Sequence, residues 1–398
     1  MRDVPAEPRS HARIAELDAL RGLAAVCVVL GHLALALPAA ATASRADGWT
    51  AWNLALYSPL HVLFNGGAAV VVFFVLSGFV LAVSYEEGRQ TYGGFLVRRV
   101  ARIWIPYVVV VAVAMVLCTV LGQELVPGAS SWFNDRWRDT VTVVPVLQHL
   151  SLIGHYRDDA QYVPVIWSLT DEMRISIIFP LLVAGVAAFG WRRSIGASVV
   201  LTAIGLAFAR KVSPDFATAE YVVCFVVGIV LANHRHALTA RMAALARRDR
   251  VLLFVAAVLL FTWDSWLAPA WAPGRLDSVV HSEGVHVVLQ TAGAAAFIVL
   301  AQVPGRAHDR LLARVPQYLG RISYSLYLVH TIVLLAVVHA VGAHVALPWL
   351  LAPVVALSIV LSDLMQRGVE RPAQRLGRRW ARRVERGAYR PVPVTADA

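Results

Sequence analysis

The sequence predicts an all-α, polytopic integral membrane bundle of about ten transmembrane helices. Three observations predict it. Of the 398 residues, 58% are hydrophobic and only 15% are charged, where soluble domains average about 25% charged. The mean hydropathy is +0.63, and the apolar residues gather into blocks long enough to cross a bilayer. The basic residues, which set a net charge of +11, fall in short connections between alternate blocks, as the positive-inside rule requires. That placement argues against nucleic acid as a partner, because a nucleic-acid footprint collects on one soluble face.

A spanning helix needs about 20 mostly apolar residues. Ten stretches meet or approach that length: about 17–38, 60–84, 104–122, 165–189, 194–210, 217–234, 250–268, 285–303, 321–341 and 347–366. Gly66, Gly67, Gly78 and Gly293, each with Ala nearby or beside it, suit close helix packing. With the N-terminus in the cytoplasm, the inner connections carry Arg89, Arg98, Arg99 and Arg102, then Arg192 and Arg193, then Arg235 to Arg250, then Arg306 to Arg321, and last the tail. The longer outer connections, 123–164 and 269–284, hold acids and Trp instead. Both termini are therefore expected in the cytoplasm, and the location expected is the inner (plasma) membrane. Residues 1–16 form a cytoplasmic segment, 17–377 the transmembrane unit and 378–398 a basic, disordered tail. Arg9 and Arg13 ahead of an apolar run ending in Ala41-Thr42-Ala43 resemble a cleavable signal. Asp18, Arg21 and His32 interrupt that run and favour its retention as a span. Cys27, Cys118 and Cys224 all lie in apolar blocks, without the pairing of a disulfide frame or metal knot.

With no soluble catalytic stretch in the sequence, any chemistry is expected inside the bundle. Ionisable residues inside spans are costly and mark function by default. The first span offers Asp18, Arg21 and His32. Arg21 and His32 stand eleven residues apart, ~16 Å along a helix. One suits the inner end of a long ligand and the other its reactive tip. Glu172, counted from a span entered near Val165, falls ~10 Å below the outer edge, at the depth expected for His32. A carboxylate there suits orienting His32 or binding an acceptor. Tyr327 and His330 lie ~9 and ~14 Å from Arg321 at the inner edge, with Ser77 at a comparable level.

The residue pattern then becomes specific. "LDALRGLAAVCVVLGH" (17–32) resembles the opening span of the membrane-bound acyltransferase family 3, with its Arg-x10-His pair. "FFVLSGFVLA" (73–82) resembles its second span, and "RRVARIWIPY" (98–107) its basic third, with an Arg-x-x-Arg pair at Arg99 and Arg102. "WSLTDEMRISIIFPLL" (167–182), "ISYSLYLVH" (322–330) and "ERPAQRLG" (370–377) resemble its later blocks, all in order. The resemblance implies transfer of an acyl group, commonly acetyl, from cytoplasmic acyl-CoA as co-substrate, with no tightly bound cofactor and no metal. The acceptor is a hydroxyl of a sugar, glycolipid, polysaccharide or secondary metabolite such as a macrolide. His32 matches the catalytic position, and Arg21, Arg99 and Arg102 match donor-handling positions. Glu172 is assigned beside His32 in catalysis, and Ser77, Tyr327 and His330 are assigned to the substrate path. Met173-Arg174-Ile175-Ser176 departs from the family's bulky aromatic stretch and leaves the acceptor open; Arg174 is expected to pair with Glu172 or Asp171.

The chemistry agrees with those assignments. A thioester attacked by an alcohol needs a base of near-neutral pKa, usually His, and the phosphates of coenzyme A suit forked arginines. Blander readings stand beside these. A lone His in an apolar helix is commonly packed and hydrogen-bonded, inner-loop arginines such as Arg98 are topology signals, and Ser77-Gly78 also suits packing. His61, His149, His155, His339 and His344 are read as outer-edge residues, and the outer Trp residues as an interfacial belt. A different class of protein, a proton-coupled carrier of a small anionic or amphiphilic molecule with His32 and Glu172 as relay, meets the absence of a detectable inverted repeat. A regulatory scaffold would leave the buried ionisable residues without purpose.

Overall fold

Apolar segments in lipid must close their own backbone hydrogen bonds, so they become helices. In a computed structural model of the chain, residues 14–42, 50–86, 91–121, 124–138, 140–154, 159–266 and 283–388 are described. Among them there are no strands. The longer helices are α1 (Ala15–Ala36), α2 (Gly66–Glu86), α3 (Tyr92–Leu121), α4 (Ile166–Phe189), α5 (Trp191–Ala209), α6 (Val222–Asn233), α7 (Arg247–Phe261), α8 (Glu283–Ala301), α9 (Arg314–Val341), α10 (Leu347–Met365) and α11 (Arg371–Ala388). Nine helical segments among the described residues are long and apolar enough to cross a membrane. The chain is a multi-pass membrane protein.

The difference from ten lies at 250–268. Helix α7 stops at Phe261 after 15 residues, ~22 Å at the helical rise, short of the ~30 Å hydrocarbon core. The chain turns at Thr262, and Asp264 just beyond accepts from the Asn65 amide at 3.2 Å. His155, Trp49 and Trp271 lie outside the described residues, as does the segment 267–282. Helices α4 and α5 meet at Gly190, whose φ of +76° and ψ of 163° break the helix where only glycine is at ease. The sixth stretch is mixed: a 3-10 segment, Pro214–Tyr221, leads into α6. The third begins twelve residues earlier than expected, at Tyr92, so Arg98, Arg99 and Arg102 lie within a helix rather than in a loop.

The central helices are α1, α2, α6 and α9. Glycines let their backbones touch: a Cβ at Gly22 would strike the Leu319–Gly320 backbone of α9, and one at Gly320 the Asp18 carbonyl of α1. Gly78 and Gly228 make the equivalent crossing between α2 and α6. Helices α5 and α10 turn Ile204, Phe208, Trp349, Val360 and Leu364 outward, as lipid-facing surfaces do.

The tail expected to be disordered from 378 is instead helical as far as Ala388. A π turn, Gln366–Glu370, joins α10 to α11. Helix α11 then lies against the start of α3, with Ala373 and Ala381 buried and Gly377 over Ala101. An Arg98–Glu385 ion pair of 2.9 Å holds its far end. Small residues on one face and arginines on the other explain why this basic stretch folds.

Candidate active site

His32 and His330 face each other from α1 and α9. The Nε2 of His330 is 3.1 Å from the Nδ1 of His32. Each Nδ1 also lies beside the carbonyl one turn earlier, Val28 at 3.0 Å for His32 and Leu326 at 2.8 Å for His330. A carbonyl accepts only, so both Nδ1 atoms carry the proton. The His330 Nε2 is then an acceptor for His32 Nδ1–H, and the His32 Nε2 keeps its lone pair. The Gly22–Gly320 contact sets this register, because close backbones at one end of the pair bring the rings together ~15 Å further along.

His32 lines a cavity of about 340 Å³ together with Gly31, Val165, Trp167, His61 and Tyr327. Trp132, from the segment between α3 and α4, covers the His32 ring at 5.4 Å between centroids, and the Arg136 guanidinium lies over that Trp at 5.2 Å. Burial holds Arg136 below its ordinary pKa, with Asp135 opposing. His61, in the 3-10 turn Pro59–Leu63, is likewise lowered by burial, against the pull of Asp264. His149 and His339 are buried or half-buried rather than bathed at an edge; His339 stacks on Trp137 at 5.6 Å.

A second cluster sits nearer the arginine-rich end. Glu172 accepts from Ser77 Oγ at 2.7 Å and from the Arg99 guanidinium. Arg99 Nε donates to Ser176 Oγ at 2.9 Å, and Ser176 donates to the Glu172 carbonyl at 2.6 Å. Arg99 is only 7% exposed. A buried pair of this kind is held only when its remaining donors and lone pairs are satisfied, which the two serines accomplish. Arg21, Arg102, Tyr324 and Tyr327 complete the wall of a small cavity of about 80 Å³.

The two cavities share Val70 and Tyr327. The Tyr327 hydroxyl bonds Ser168 Oγ at 2.5 Å and the Val165 carbonyl at 3.4 Å. Tyr327 thus stands where the histidine side and the arginine side meet, with Ser168 bonded to it on the arginine side.

All eight residues singled out from the sequence line these cavities or the histidine couple, but in different partnerships. The depth argument pairs Glu172 with His32; the structure gives that place to His330. Helix α4 starts level with His32, since Val165 lines its cavity, so Glu172 lies ~10 Å further down. Arg174 pairs with neither Glu172 nor Asp171. It reaches Asp215 at 2.5 Å and Thr218 at 3.1 Å, and Asp171 accepts from Thr218. Arg99 is engaged inside the bundle rather than open at its edge. Asp18 and Arg21 form an i,i+3 pair at 3.6 Å. Ser168, Ser176, Tyr324 and Trp132 are site residues that sequence reasoning missed. Tyr324 and Ser168 were signalled by their blocks, Tyr324 one turn before Tyr327 on α9. Trp132 carried no periodic signal.

The fold defines a polytopic membrane protein with two polar cavities buried in its bundle. The acyltransferase 3 family, described as an acyltransferase domain, matches residues 14–367, and the chain belongs to it. Among curated proteins it is similar to "Acyltransferase MdmB" of Streptomyces mycarofaciens, 30% identical over 174 residues, which cover 44% of this chain and 40% of that protein. No solved structure matches.

Proposed function

We propose that the protein is a membrane O-acyltransferase that moves an acyl group, acetyl foremost, from cytoplasmic acyl-CoA to a hydroxyl of a sugar, glycolipid, polysaccharide or secondary metabolite such as a macrolide. Residues 17–377 with α11 form the working unit, and both termini lie in the cytoplasm of a cell whose inner membrane holds the bundle. The observation that carries this reading is His32, whose Nε2 has no hydrogen-bond partner among the described residues, lining a cavity that shares Tyr327 with the arginine-lined one.

In this mechanism His32 Nε2 takes the proton of the acceptor hydroxyl as its oxygen attacks the thioester carbon. The resulting imidazolium keeps its Nδ1–H bond to His330 Nε2, which holds the ring in place. When the tetrahedral intermediate collapses, the C–S bond breaks, and His32 returns the proton to the departing thiolate. Arg21 and Arg102 hold the donor. Glu172 and Ser77 act as positioning residues by fixing Arg99, and Tyr327 guides the acyl end between the cavities.

The test uses the purified chain with radiolabelled acetyl-CoA and a panel of sugar, lipid-linked and macrolide alcohols. Label transferred to an acceptor, abolished by His32→Ala in a protein that still purifies normally, is the expected result. No transfer and no donor hydrolysis, together with proton-coupled uptake in vesicles, would replace the enzyme with a carrier.

A further inference from the structure

Helix α11 completes a cavity beyond the one at Glu172. It has a volume of about 500 Å³ and is bordered by Arg21, Arg102, Arg321, Arg371, Gln374 and Arg378. That size is within the usual range for sites holding drug-sized ligands. The acids on its wall are already engaged. Asp18 pairs with Arg21, and Glu370 accepts from Ser325 at 2.7 Å and from Gln374 at 3.0 Å. Arg321 is taken by Asp363 at 3.3 Å. Among the described residues, no acidic side chain pairs with Arg102, Arg371 or Arg378. Arg102, Gln374 and Arg378 also line an adjoining recess of about 200 Å³. Arg21 and Arg102 border the small cavity beneath Tyr327 as well, so the route from this basin to Tyr327 is lined by the same two guanidinium groups.

We propose that Arg371 and Arg378 of α11, with Arg102 of α3, bind the phosphorylated nucleotide end of the donor, leaving its thioester arm to run past Arg21 toward Tyr327. Three free guanidinium groups around one basin suit a ligand with several phosphates, each accepting forked hydrogen bonds. The volume exceeds what one phosphate fills and accommodates a nucleotide. Arg99, held by Glu172 and Ser176, is not a phosphate ligand. This rests on the acyl-CoA reading, and the experiment separates the two.

Calorimetric titration of the full chain in phosphatidylcholine nanodiscs compares coenzyme A with 3′-dephospho-coenzyme A. Wild type is expected to bind coenzyme A more tightly than its dephospho form. The double variant Arg371→Gln/Arg378→Gln should bind at least ~10-fold more weakly, since a charge-assisted hydrogen bond contributes about 1.5–3 kcal/mol, and should lose much of that preference. Arg378→Lys, which keeps charge without the fork, should fall between. The control Arg379→Gln/Arg383→Gln removes equal charge from exposed positions of α11 outside the cavity and should stay within about twofold. Equal weakening in the control, or wild-type binding in Arg371→Gln/Arg378→Gln, overturns the assignment. Failure of wild type to bind coenzyme A removes the donor reading itself. If phosphatidylglycerol added to the discs displaces coenzyme A from wild type but not from the double variant, the basin belongs to lipid headgroups and the proposal fails.

Discussion

At the scale of single residues, the His32–His330 couple differs from a histidine oriented by a carboxylate. His330 supplies an accepting nitrogen without a negative charge, so it orients His32 and shares its proton while adding little charge stabilisation. His32→Ala is therefore expected to cost ~10²–10⁴-fold in turnover, the usual range for a general base. His330→Ala should cost less, and His330→Gln, which can offer an amide oxygen in its place, should recover part of the loss; a His330→Ala enzyme with wild-type turnover removes the couple from the mechanism. The Arg99–Glu172 pair behaves otherwise. Glu172→Gln leaves a buried guanidinium uncompensated and is expected to cost about 3–5 kcal/mol, read as lost stability in detergent melts. Arg99→Met/Glu172→Met should restore most of that stability without restoring transfer. His32 was legible in the sequence because a polar residue in an apolar helix stands out. Its partner was not, since two helices far apart in sequence bring the rings together, and depth counting alone favoured Glu172.

At the scale of elements, glycine contacts decide where polar groups meet. Gly320 packs on the Asp18 carbonyl, so Gly320→Val should push α1 from α9 and separate His32 from His330. Transfer is expected to fall by more than ~10-fold in a protein that still purifies with wild-type helix content, because an effect of ~1.4 kcal/mol or more on positioning suffices. Lost helix content in the circular dichroism spectrum would point to general unfolding instead, and wild-type transfer would remove this contact from the positioning of the couple. Most helices were readable because hydropathy reports burial in lipid directly. Boundaries were less readable where polarity and helicity part company. Helix α3 begins in Tyr92-Gly93-Gly94, which carries little apolar signal, yet Gly94 gives Glu385 of α11 room to approach. Helix α11 itself reads as a charged tail until Ala373, Gly377 and Ala381 are seen to share a face. The Asn65–Asp264 bond just past the end of α7 joins residues nearly 200 apart in sequence, which no local pattern announces.

At the scale of the whole molecule, three spaces follow one another: the α11 basin, the small cavity at Glu172 and the histidine cavity, joined at Arg21 and Arg102 and then at Tyr327. Their order was partly visible in the Arg21-to-His32 spacing, whereas the walls between them depend on side chains from four helices. A bilayer that stores an ion gradient cannot tolerate an open polar path, and the histidine and arginine cavities meet at Tyr327, whose hydroxyl bonds Ser168. Tyr327→Ala proteoliposomes, loaded with a pH-sensitive dye, should therefore dissipate an imposed pH difference faster than wild type, and Phe at the same position should restore the seal without restoring the bond. An unchanged leak in Tyr327→Ala would show that another layer closes the path. A tyrosine that seals this junction would also serve the membrane's insulation, holding back the proton-motive force at the point where the proposed reaction needs an acyl end to pass.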